Sequence, residues 1–112
     1  MGYRAHIVKP GSVDEYIGNE YFNRMECEIL ELFDNYNIQH NFGYFKRKTT
    51  WTIQVAELNA LIAHLEVSPN EVDECFLEEG KRVYTNQEAA DIFKEWVKYA
   101  DQESGLVRIH WF

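Results

Sequence analysis

Residues 85–112 read TNQEAADIFKEWVKYADQESGLVRIHWF, and this stretch decides the fold class. Thr85-Asn86-Gln87-Glu88 has the form of a capping box. The Thr85 hydroxyl can accept from the Glu88 amide while the Glu88 carboxylate reaches back to the Thr85 amide, which satisfies two donors that a helix start leaves open. Behind it Ala89, Ile92, Phe93, Trp96, Val97 and Ala100 recur at intervals of three and four, the apolar face of a helix over about 86 to 102. Ser104-Gly105 stops it. From Leu106 to Phe112 the period changes to two, with Val107, Ile109 and Trp111 alternating against Leu106, Arg108, His110 and Phe112. That is a strand with two different faces, and it predicts an α+β domain whose sheet takes in the C-terminal segment.

Working toward the N-terminus, Thr85 closes a stretch that reads as a hairpin: Cys75-Phe76-Leu77-Glu78 and Arg82-Val83-Tyr84-Thr85 flank Glu79-Gly80-Lys81. A helix from Pro69 to Glu79 competes with it, because Val72, Cys75, Phe76 and Glu79 also have helical spacing. Ser68-Pro69-Asn70-Glu71 is a second capping box, with proline at the first helical position, and predicts a turn or more of helix from Pro69. Before it, Val55, Leu58, Leu61, Ile62 and Leu65 mark an amphipathic helix over about 54 to 66. Ile38 to Ile53, rich in aromatic and β-branched residues, predicts two short strands around the basic triplet Lys46-Arg47-Lys48. Phe22, Met25, Ile29, Leu32, Phe33 and Tyr36 predict a helix over about 19 to 36, ended by Asn35 and Asn37. Tyr3 to Lys9 alternates as a first strand and stops at Pro10-Gly11-Ser12. The expected architecture is one domain over 1–112: a small antiparallel sheet holding the N- and C-terminal strands, packed with three helices.

Composition agrees with a self-sufficient core. The chain has 112 residues, 46% of them hydrophobic, with seven Phe, seven Tyr and three Trp, so neither disulfides nor metal are required to hold it. Cys27 and Cys75 do not form a C-x-x-C pair and are read as reduced, packing residues. No apolar run approaches a membrane span and the N-terminus lacks a signal-peptide pattern, so a soluble cytoplasmic protein is expected.

The charge is unevenly distributed. Residues 1–56 carry seven acids and six bases, whereas residues 57–103 carry twelve acids and four bases. The later part therefore presents an acidic surface, which repels nucleic-acid phosphates and attracts basic protein clefts. Its densest stretch is Glu71, Asp73, Glu74, Glu78 and Glu79. We read these as the partner-binding residues, suited to an Arg- and Lys-lined groove, with Phe76 as the apolar anchor that ion pairs seldom provide alone.

Other chemistry has weaker support. His6, His40, His64 and His110 lack metal-ligand spacing, but if the first and last strands pair, His6 and His110 fall on the less apolar face of each and could share a zinc ion with a third ligand. A zinc-binding domain or small metal-dependent enzyme is thus an alternative, although no cofactor is required. Cys27 lies between Glu26 and Glu28, and Cys75 lies beside Asp73 and Glu74, surroundings that oppose a reactive thiolate. The six glycines are isolated, so there is no phosphate-cradling loop, and an enzyme is not expected. Tyr44-Phe45-Lys46-Arg47-Lys48-Thr49-Thr50-Trp51 interleaves bases with aromatics and gives a third reading, a nucleic-acid adaptor using Lys46 to Trp51. The net charge of −8 disfavours direct nucleic-acid binding.

Taken together, the short length, acidic balance, aromatic richness and the Met1-Gly2-Tyr3-Arg4 opening that runs straight into a strand resemble small phage accessory proteins. Among these are counter-defence inhibitors, including anti-CRISPR proteins that occupy Cas9-type effectors. The resemblance implies a cytoplasmic host-cell protein that inhibits a nucleic-acid-handling defence enzyme by blocking its basic groove, or by docking on a lobe that must move.

Overall fold

The computed structural model describes residues 3–77 and 83–112. Among these residues one five-stranded antiparallel sheet and three α-helices form in the chain order β1 (Ala5–Val8), β2 (Tyr16–Tyr21), α1 (Glu26–Asn35), β3 (Asn41–Phe45), β4 (Lys48–Gln54), α2 (Val55–Glu66), α3 (Asn86–Lys98) and β5 (Leu106–Trp111). The strand order is β2-β1-β5-β4-β3, which places the N- and C-terminal strands side by side in the middle. The α+β class and the sheet that holds both terminal strands are as the sequence predicts.

Alternation along the strands sorts the two faces. Ala5, Ile7, Trp51, Ile53, Val107, Ile109 and Trp111 are all buried and line one core with Leu58, Leu61 and Leu65 of α2 and Ala89, Phe93 and Trp96 of α3. Burying a large aromatic or aliphatic side chain stabilises by roughly 1.5 to 3 kcal/mol. The opposite face carries Lys48, Thr50, Thr52, Arg108 and His110. The predicted capping box at Thr85 is complete, with bonds in both directions between Thr85 and Glu88, and the hairpin around the basic triplet is present as β3–β4. Its turn is the pair Lys46 and Arg47, both at positive φ, the backbone that a two-residue hairpin requires to match strand twist.

The structure corrects four expectations. The helix predicted from residue 19 begins only at Glu26, because Tyr16–Tyr21 is a strand paired with β1 and the connection through Phe22 and Arg24 runs at positive φ, which no helix tolerates. Phe22 and Met25 are buried as predicted, but from an irregular turn that the Arg24 amide anchors on the Tyr3 carbonyl. The last helix stops at Lys98 rather than near 102, since Asp101 bridges Leu106 and its carboxylate accepts the Glu103 amide. The Ser68 capping box opens no helix. Instead Ser68, Pro69 and Glu71 turn their carbonyls toward α3, accepting from the Asn86 side chain and from the Gln87 and Asn86 amides, respectively. Finally, Cys75 and Phe76 lie in a single 3₁₀ turn, Glu74–Phe76, and not in a hairpin strand or in a helix continued from Pro69. The proposed hairpin tip at Glu79-Gly80-Lys81 lies outside the described residues.

Candidate protein-binding surface

The acidic segment is built around Asp73. This residue stands just before the 3₁₀ turn, in extended backbone, and its carboxylate accepts from the Cys75 amide at 3.1 Å. The other oxygen accepts the Tyr36 hydroxyl at 3.2 Å, which ties the turn to the end of α1. Burial, followed by the charge of Asp73, holds the Tyr36 phenol above its ordinary range. The Cys75 thiol is pushed up strongly, first by burial and then by Asp73, so this cysteine is held as a neutral thiol. Asp73 therefore shapes the segment from within rather than standing free on its surface.

Glu71 and Glu74, by contrast, are exposed, and α1 brings Glu31 to the same edge, close enough to act on Cys75 through space. None of the ion pairs among the described residues involves these three carboxylates. Elsewhere in the later part, Lys94 binds Glu66 at 2.6 Å and approaches Asp91 at 3.9 Å, and Glu88 serves the capping box. Among the described residues the acidic half is thus neutralised in part by Lys94 of α3, whereas Glu31, Glu71 and Glu74, where α1 meets the 3₁₀ turn, enter no ion pair.

The apolar anchor differs from the expected one. Phe76 is 1% exposed and packs its ring against Tyr84, itself buried, so it belongs to the core and cannot insert into a partner. The exposed apolar groups at this end are Leu77, 60% exposed and hydrogen-bonded back to the Glu74 carbonyl, and Val83, 48% exposed. Glu78 and Glu79 lie outside the described residues. Glu31 was missed by sequence reading because it lies forty residues before Glu71; only the packing of α1 on the 3₁₀ turn brings them together.

The two histidines singled out for metal binding do meet. β1 and β5 pair with His6 directly opposite His110. Their surroundings are aromatic: the His6 ring stacks on Phe112 at 3.7 Å, and Nδ1 of His110 is 2.8 Å from the Tyr16 hydroxyl. Lys48 lies over the Phe112 ring at 4.4 Å and the Tyr16 ring at 5.5 Å. Burial, then the nearby charges of Lys48 and Arg108, hold the His110 imidazole below its ordinary value. Among the described residues no three of His, Cys, Asp and Glu gather as a metal site. The Lys46 to Trp51 stretch is likewise divided: Lys46 pairs with Asp14 at 3.2 Å, Lys48 is engaged with the aromatic rings, and Trp51 is fully buried, leaving no Trp51 face for a base to stack on.

No helix among the described residues is long and apolar enough to cross a membrane. Compared with protein-family models, curated proteins and solved structures, the chain matches none.

Proposed function

We propose that the chain is a non-enzymatic protein-binding inhibitor that docks on a cationic protein surface through the edge formed by α1 and the Glu74–Phe76 turn. The observation that carries this reading is that Glu31, Glu71 and Glu74 are exposed, with Leu77 exposed beside Glu74, and enter no ion pair among the described residues, while Glu66 and Asp91 share Lys94. Unpaired carboxylates around an apolar group steer a cationic partner and then anchor it, which ion pairs at a solvated rim do poorly alone. Enzymes that handle nucleic acids maintain cationic channels, so such an enzyme, including the host defence effectors suggested by the resemblance, is the class of target that fits.

The test is reversal of Glu31, Glu71 and Glu74 to lysine, compared with reversal of Glu15, Glu57 and Glu103, which changes the net charge equally. In quantitative capture from host-cell lysate, the first variant should lose the proteins that the wild type retains and the second should keep them. Equal capture by both would remove the surface from consideration.

A further inference from the structure

The two edges of the sheet are built differently. β2 carries Gly18 at positive φ and pairs with β1 in an irregular register, features that blunt an edge against further pairing. β3, at the other edge, is Asn41-Phe42-Gly43-Tyr44-Phe45. It has no charge and no proline, and it runs in unbroken register with β4 over all five residues. Phe42 is 57% exposed and Tyr44 is 84% exposed.

The hairpin fixes which backbone groups this edge offers. A two-residue turn is closed by a pair that exchanges both backbone bonds; here the pair is Phe45 and Lys48. Alternation then turns Phe45, Gly43 and Asn41 toward β4, and leaves the amides and carbonyls of Phe42 and Tyr44 facing outward.

We infer that β3 pairs antiparallel with β3 of a second copy of this chain, about a two-fold axis at Gly43. In that register Phe42 lies opposite the partner's Tyr44, and Tyr44 opposite the partner's Phe42. Every outward amide and carbonyl of the two residues finds a mate, and two aromatic cross-strand pairs form on one face. An axis through the strand makes the same five residues serve both copies, as an isologous interface requires. Charge favours this edge over others for self-association. The molecule carries −8 overall, so like surfaces repel, whereas β3 holds no carboxylate, and the Asp14 carboxylate beside its turn is paired with Lys46. This surface is separate from the acidic edge and does not depend on that reading.

Two five-residue strands make a small interface, of the weak class below about 1,200 Å², so sedimentation equilibrium should be followed to hundreds of micromolar. The average mass of the full chain should rise from 13.3 kDa toward twice that value. Tyr44→Lys, at a position exposed enough not to disturb folding, should remain monomeric with an unchanged circular dichroism spectrum. The register has its own check on a Cys27→Ser background: a short bismaleimide should link a mixture of Phe42→Cys and Tyr44→Cys chains faster than it links either variant alone. A wild type that stays monomeric throughout overturns the inference, even if the edge then accepts a foreign strand. So does a dimer that Tyr44→Lys leaves intact, and equal linking in all three samples overturns the two-fold at Gly43.

Discussion

Asp73 and Glu74 are neighbours with the same charge and different work. Asp73 accepts two hydrogen bonds that fasten the 3₁₀ turn to α1, so Asp73→Ala should destabilise the fold by about 1 to 2 kcal/mol in chemical denaturation. Glu74→Lys should stay within about 0.5 kcal/mol of wild type, as exposed substitutions do, while still changing what the edge attracts. Sequence alone treats the two alike, because local composition does not say which carboxylate meets a buried donor. At the same scale, burial first, then the charges of Lys48 and Arg108, hold the His110 imidazole below its ordinary value. Its folded pKa lies below the ordinary 6.5, so the stability this ring contributes is complete above that value and is lost as pH falls through the folded value. His110→Gln should flatten the acid side of the stability profile measured by thermal melts between about pH 7 and 5.

At the level of elements, α2, α3, β5 and the β3–β4 hairpin were legible because each carries its own local signal: a capping box, a stop, or a clear change of period. β2 was not, since Phe22 and Met25 continue the apolar spacing of α1 backward and conceal the positive-φ break at Phe22 and Arg24. Gly18 has φ +78°, and an added Cβ would lie 3.1 Å from the Tyr99 ring. Gly18→Ala should therefore cost about 1 to 3 kcal/mol, read from denaturant midpoints. The Ser68 box misled for a related reason. Its residues could start a helix, but their carbonyls are used instead by the first amides of α3. Thr85→Ala should cost about 1 kcal/mol in the same assay, as expected for loss of a cap that does begin a helix.

For the whole molecule, the excess of carboxylates after residue 56 could be counted, but the distribution of unpaired charge could not. Lys94 removes Glu66 and Asp91 from the free set, the capping box occupies Glu88, and α1 contributes Glu31 from the nearly neutral first half. The resulting acidic edge is narrower than the linear run and is made from two distant segments. The pairing of His6 with His110 could likewise be anticipated from strand alternation, whereas the Tyr16 and Lys48 groups beside them arrive from two other parts of the chain. The central claim is that the edge of α1 and the 3₁₀ turn is where this protein meets positive charge. The most direct measurement is an NMR titration of the isotope-labelled chain with an oligoarginine peptide at low salt. Amide shifts should concentrate around Glu31, Glu71, Glu74 and Leu77; shifts spread evenly over the acids of α2 and α3, or centred there, would contradict it.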